Sequence, residues 1–565
     1  MRSINKLKPI ILSAVLFISS FANAQQDNKL KMWYQADLVQ DTLNGISLKQ
    51  AYDFLKDKKP VPVIVAVLDN GIDTTQEDLK NMLWTNPKEI PGNGIDDDKN
   101  GYVDDVHGWN FLGNKNGTNL VTAGGENARV YYRFKSQFEG KNIDTTTLSL
   151  LDKWHYIQWK DAEREMAIGP QEQMEVTMLE NVIAVLKKND AILRSDMQKD
   201  EFNIDDLENY TPNTDEAKKA KNVYLTVFKQ MGFDPGSTNV SLMNDLEDYT
   251  KGKKTGLEAK LAPPPDYRAL TIKDNYNDFN DRFYGNNDLM GSDPMHGTHC
   301  SGIIAAQRNN GIGIDGIAGI PDVKIMMVRT VPDGDEYDKD VALAIIYAVN
   351  NGAKVINMSF GKKFSPEKPW VDSAVKYAES KDVLLVHAAG NDNEDVDSVS
   401  NFPSPFMLAD KTKATNFITV GASGDPRIGD GSTIAVFSNY GAKNVDVFAP
   451  GVNIYSTLPG SKYGNISGTS MAAPVVSGIA ALIRAYYPFL SAKQVIYVLE
   501  KSVTPGTALE GKITTPGSDA EANMLNLAVS GGEVNAYNAL KIASTLKPDN
   551  LNNPKDTGQK KAKKN

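Results

Sequence analysis

Three short segments of the 565-residue chain hold side chains that together could carry out nucleophilic hydrolysis. In the first, Val65-Ala66-Val67-Leu68-Asp69-Asn70-Gly71, a carboxylate ends an apolar, β-branched run without helical periodicity. Such a run predicts a buried strand, and sites in open α/β sheets form at the carboxyl ends of strands. The second, His296-Gly297-Thr298-His299-Cys300-Ser301-Gly302, leads an imidazole into a small-residue helix. The third, Ser467-Gly468-Thr469-Ser470-Met471-Ala472-Ala473-Pro474, sets a hydroxyl at the start of a helix predicted to run to about Tyr486. Serine is a weak nucleophile unaided: a base must take its proton, and a carboxylate must fix the tautomer of that base and stabilise the imidazolium. Asp69, His296 and Ser470 supply one of each. The unpaired amides of a helix start beneath Ser470 could face a developing oxyanion. Pro474 suits a helix start, whose first turn has no internal partner for the missing N–H. Taken singly each segment is bland, since a strand-end aspartate can cap a turn and Gly-Thr-Ser can open any helix; the combination carries the reading.

Asp69-Asn70-Gly71, His296-Gly297-Thr298-His299 and the run from Gly468 to Pro474 resemble the three signature motifs of the subtilase family, the subtilisin-like serine proteases of peptidase family S8. They occur in that family's Asp, His, Ser chain order. The resemblance covers about residues 62–111 and 294–540. It implies a serine endopeptidase working through an acyl-enzyme intermediate on protein or peptide substrates. It also implies that Asn391, in Ala388-Ala389-Gly390-Asn391-Asp392, is the oxyanion-hole asparagine. Ser359 and Gly361, in Asn357-Met358-Ser359-Phe360-Gly361, together with Gly390, would line the path of an extended substrate that binds as an added strand. Cys300, one helical turn beyond His296, resembles the thiol of mercurial-sensitive members and is expected to be a buried structural thiol. Two alternatives remain open: a catalytically occluded, peptide-binding relative, and an esterase, which the absence of a Gly-x-Ser-x-Gly elbow around Ser470 disfavours.

Two segments could hold calcium. In the loop from Gly94 to Asp105, oxygen-bearing residues alternate around a glycine turn, which suits a hard cation needing six to eight oxygens; Asp96, Asp98, Asn100, the Tyr102 carbonyl and Asp105 are the expected ligands. The second, Asn309-Asn310-Gly311-Ile312-Gly313-Ile314, resembles a calcium loop of the same family, with Asn310 as its side-chain ligand.

Strand-like runs at Val61–Leu68, Val323–Arg329, Lys354–Phe360, Val383–Ala388 and Phe417–Ala422, with helical patterns between several of them, predict an α/β fold with a doubly wound, mostly parallel sheet. Between the aspartate and histidine segments the chain changes to long polar stretches with helical spacing, so residues 113–290 are expected to form a large, mainly helical insertion. It would interrupt a peptidase domain of residues 61–112 and 291–546 and could restrict access to the site. Residues 25–60 form a lead-in segment and 547–565 a basic tail. Residues 1–24, with Arg2, Lys6 and Lys8 before an apolar stretch and Ala22-Asn23-Ala24, resemble a secretory signal peptide, so the expected location is periplasmic or extracellular, with no transmembrane segment in the mature chain. The net charge of -10 disfavours a nucleic-acid partner, whose phosphates need a concentrated basic face, and the single cysteine excludes an intramolecular disulfide.

Overall fold

A computed structural model describes residues 30–549 except 168, 232–237 and 430; the signal-like residues 1–24 and most of the basic tail lie outside the described residues. Eleven strands are present among them: β1 (Val63–Asp69), β2 (Gly108–Asn110), β3 (Val323–Arg329), β4 (Val355–Met358), β5 (Leu384–Ala388), β6 (Phe417–Ser423), β7 (Val447–Pro450), β8 (Ile454–Leu458), β9 (Lys462–Ile466), β10 (Thr504–Pro505) and β11 (Gly532–Glu533). Nine of them form one sheet in the order β10-β11-β7-β6-β5-β4-β1-β3-β2, and β8 and β9 form a separate antiparallel pair. Every pairing in the large sheet is parallel except β10 with β11.

The apolar runs lack alternation because both faces of the sheet are covered. Val63, Val65 and Val67 of β1 point into one hydrophobic core, with the helices Met295–Ala305 and Thr469–Tyr486. Ala66 and Leu68 point into a second, with the helices Asp338–Asn350 and Lys368–Ser380. This is a doubly wound arrangement. From β1 the chain passes to β3 on one side and then returns to place β4 on the other, so the winding reverses between β1 and β4. A crevice opens at the carboxyl ends of strands where the winding reverses. Thr469–Tyr486 is long and apolar enough to cross a membrane, the one such helix among the described residues, but it is 89 % buried at the centre of the first core.

Between β2 and β3 lie helices Glu126–Phe138, Leu150–Met166, Pro170–Met197, Asp215–Met231 and Asn239–Leu261. Part of this region has a core of its own, built on Leu186, Leu193, Phe202 and Tyr224. Its ends belong to the main body: Leu120, Ala123, Ile272 and Tyr284 pack into the second sheet core. Buried charges fix the returning end, where Arg268 bonds Asp274 (2.9 Å) and Asp340 (2.6 Å) and Lys339 donates to Asp274 (2.7 Å). Such pairs fix orientation more than they stabilise, because desolvation offsets most of their attraction.

Candidate active site

Asp69 ends β1 with 1 % of its surface exposed. Its Oδ1 accepts from His296 Nδ1 at 2.8 Å and from the Asn70 amide at 2.7 Å, and its Oδ2 lies 3.0 Å from the same ring nitrogen. His296 is the second residue of its helix, and the ring reaches β1 because the next residue is glycine. A Cβ at Gly297 would stand 2.1 Å from the Gly71 carbonyl and 3.0 Å from the Asp69 side chain. Asn70 holds the helix from the other direction, its Oδ1 accepting from the Gly297 amide at 3.0 Å. Asn70 therefore docks the histidine helix onto the strand end, a role its sequence position signalled only as part of the motif.

Burial alone would drive His296 toward neutrality, but the Asp69 carboxylate outweighs it and holds the ring well above the ordinary histidine value. His155, His299 and His387 are pushed the opposite way, first of all by burial, with His387 at about 4. Of these four rings only His296 is poised to take a proton. For the expected role of His296 as a base that acts in its neutral form, kcat/KM should rise with pH through an acid limb centred above the ordinary histidine value of about 6.5. Asp69→Asn, which removes the opposing charge, is expected to move the limb to lower pH; pH profiles of the two proteins check this.

Ser470 is the second residue of the helix Thr469–Tyr486. Its hydroxyl donates to the Ser359 carbonyl at 3.1 Å, with no hydrogen bond to His296 among the described residues. Bonds between nucleophile and base are commonly loose without substrate. Cys300 joins the two halves: its thiol lies 4.0 Å from His296 Nδ1 and donates to the Ser470 carbonyl at 3.3 Å. Pro474 explains why that carbonyl is available. It is the sixth residue of the helix, not part of the first turn, and it cannot return the usual i→i−4 bond to Ser470. The freed carbonyl accepts instead from Cys300 and from Ser359 Oγ at 2.8 Å. Burial raises the thiol above its ordinary value, which suits a neutral donor and not a nucleophile.

Asn391 follows β5, and its amide is oriented by Thr469, whose backbone N–H and hydroxyl both lie 2.9 Å from its Oδ1. The side-chain N–H groups are thereby turned away from Thr469. They have no acceptor among the described residues, and neither does the Ser470 backbone N–H. Thr469 also accepts from the Gly390 amide at 3.1 Å, so one hydroxyl sets two neighbouring groups; it was not apparent from the sequence. Under the expected oxyanion role of Asn391, Asn391→Ala should lower kcat about 100- to 1000-fold with little change in KM, a magnitude carried over from the oxyanion-hole asparagine of subtilisin; steady-state kinetics measures it. Gly361 and Gly390 stand where a side chain would collide with its neighbours: a Cβ would lie 2.6 Å from Asn401 Oδ1 and 2.4 Å from Asn439 Nδ2 respectively.

Two clefts meet here. One, about 930 Å³, is lined by Asp69, His296 and Ser359 on one side and by Gly252, Gly256 and Pro264 of the inserted region on the other. The second, about 580 Å³, is lined by Ser470, Thr469, Asn391, Gly390 and Gly361.

In the acidic loop, ligand oxygens of Asp96 and Asp98 come within 4.8 Å of one another and of Glu89. Glu89 lies outside the loop pattern, and sequence spacing did not find it. Its Oε1 accepts from the Asp97 and Asp98 amides, whereas Oε2 is buried without a partner. Asn100 and Asp105 bond each other at 3.0 Å, Asp105 also receives Asn86 and the Tyr347 hydroxyl, and the Tyr102 ring packs against Trp109. At the other loop, Asn310 donates to Asp78 at 2.6 Å, and Asp78, buried beneath the loop, is the carboxylate there that sequence reasoning missed.

The subtilase-family profile matches residues 62–522. The chain is 42 % identical over 196 residues to a thermophilic serine proteinase of Bacillus sp. (strain AK1), a match covering 34 % of this chain and 44 % of that protein. It is 38 % identical over 210 residues to subtilisin BL of Lederbergia lenta, covering 37 % and 70 %. It is 37 % identical over 210 residues to the major intracellular serine protease of Bacillus subtilis (strain 168), covering 37 % and 60 %. An α/β sheet with its candidate site at the winding reversal defines the class, and the chain belongs to the subtilase family of serine proteases. It spans less than half the length of the first of these relatives.

Proposed function

We propose that the protein is an exported serine endopeptidase in which Ser470 attacks the peptide carbonyl, His296 takes and returns the proton, and Asp69 fixes the imidazole tautomer. The observation that supports this most directly is the 2.8 Å bond between Asp69 and His296 Nδ1, which leaves Nε2 of that ring for the serine proton. Asn391 and the Ser470 amide would bind the oxyanion, and Ser359 and Gly361 would pair with an extended substrate. Export is supported by the signal-like residues 1–24; the family does not decide the compartment. Residues 113–290 would act as a wall that limits which substrates enter, in keeping with the place of Gly252, Gly256 and Pro264 in the cleft. Labelling by a fluorophosphonate, lost in Ser470→Ala, together with casein turnover tests the assignment, and failure of wild type to label would sink it.

Calcium would serve a structural role. The buried, unpartnered Glu89 Oε2 beside Asp96 and Asp98 fits a hard cation, as does the Asp78 and Asn310 loop. A cation bound at 100 times its Kd stabilises by about 2.7 kcal/mol. Calcium is therefore expected to raise Tm, and Glu89→Gln to remove one calcium equivalent in a calorimetric titration of metal-free protein.

A further inference from the structure

The cleft that contains Ser470 and Asn391 is lined by neither His296 nor Asp69. His296 would deliver its proton to the leaving amine, so the leaving group belongs on the histidine side and this groove receives the acyl side of the substrate. Its charge is strongly one-signed. Five carboxyl residues line it, Glu165, Asp335, Glu336, Asp392 and Glu394, against Lys362 and Lys363. Both lysines are already engaged. Buried Lys362 donates to Glu126 at 2.8 Å and to the Glu336 carbonyl at 2.7 Å and pairs with Asp338 at 3.0 Å, while Lys363 bonds Glu394 at 2.8 Å. Glu336 Oε1 and Glu394 Oε2 are buried with no partner, and Glu336 is only 2 % exposed. Burial, with Asp335 and Asp338 nearby, pushes Glu336 up to about 8 in spite of Lys362. An arriving ammonium or guanidinium would favour its ionised form.

We propose that this groove selects peptides with a lysine or arginine side chain on the acyl side of the scissile bond, with Glu336 and Asp392 as the specificity-determining carboxylates. The proposal rests on the peptidase reading above. A buried carboxyl with an unused oxygen discriminates strongly, because a neutral side chain leaves it unpaired.

The test is kcat/KM on matched peptides carrying lysine or its neutral isostere norleucine at each acyl-side position in turn. Lysine is expected to be favoured by about tenfold or more at one position, and Glu336→Gln and Asp392→Asn are each expected to shrink that ratio. Asp392 is exposed, so its variant keeps the test decisive if the Glu336 variant fails to fold. A ratio near one at every position, or one undiminished in Asp392→Asn, overturns the proposal. Fluorophosphonate labelling of the same wild-type preparation separates the two failures: labelled enzyme without lysine preference overturns the specificity alone, and unlabelled enzyme that cuts no peptide overturns both.

Discussion

Ser470→Ala is expected to lower kcat about a million-fold while leaving Tm and the circular dichroism spectrum unchanged. The magnitude is the one measured for subtilisin, a relative of this chain, and is carried over. The physical ground is local. Ser470 occupies the second position of a helix whose start is held by backbone and side-chain bonds independent of its own hydroxyl: Thr469 to Asn391, and the Ser470 carbonyl to Ser359 and Cys300. The hydroxyl makes one bond, to the Ser359 carbonyl, and its loss costs little stability. Residual turnover would come from the oxyanion donors and substrate positioning, which remain. The proposed triad would act as one unit, so Ser470→Ala/His296→Ala should be no slower than either single variant. Single-turnover kinetics on an activated peptide ester compares them.

The largest stability effect is expected in the lead-in segment, at Trp33. Trp33 and Tyr34 are fully buried in the first sheet core, together with Leu43, Ile46, Leu48, Ala51 and Leu55. The indole N–H donates to the Val452 carbonyl at 3.1 Å, Gln35 donates to Asp315 at 2.6 Å, and Asn44 exchanges bonds with Glu510 at 3.0 and 2.9 Å. Trp33→Ala removes the largest of these side chains and strands a carbonyl, and about 3–5 kcal/mol of unfolding free energy should be lost. Denaturant titration with an unchanged m-value would show it. The same packing predicts that the active enzyme retains Trp33, so sequencing its N-terminus should find a residue before Trp33 and not one near Pro60.

Much of this architecture is legible in the residues themselves. β3 coincides with the predicted Val323–Arg329, and β1, β4, β5 and β6 fall within two residues of the predicted runs, because strands covered on both faces are mostly apolar and lack polar alternation. The family signature was legible for a related reason: a glycine beside His296 and a proline after Ser470 meet the needs of close packing and of a freed carbonyl, and both stand within the motifs that carry the resemblance. What escaped was held by contacts between distant stretches. β2 and β7 are only three and four residues long and exist because a neighbouring strand completes their bonds. The packing of the lead-in segment was not apparent because its buried residues, from Trp33 to Leu55, are scattered among polar ones and meet partners far along the chain. Glu89, Asp78 and Thr469 could not be found by spacing, because each meets its partner across a turn or from another element.

The Asp69–His296 pair spans 227 positions of chain, and the intervening stretch both builds its own small core and returns to seal the second sheet core. During synthesis the carboxylate emerges early, the imidazole only after the whole helical region, and the hydroxyl later still. Contacts of such long sequence separation form late, since loop closure must precede them. The arrangement proposed for hydrolysis therefore cannot assemble before Ser470 has been synthesised, and connectivity alone would delay activity in the growing polypeptide.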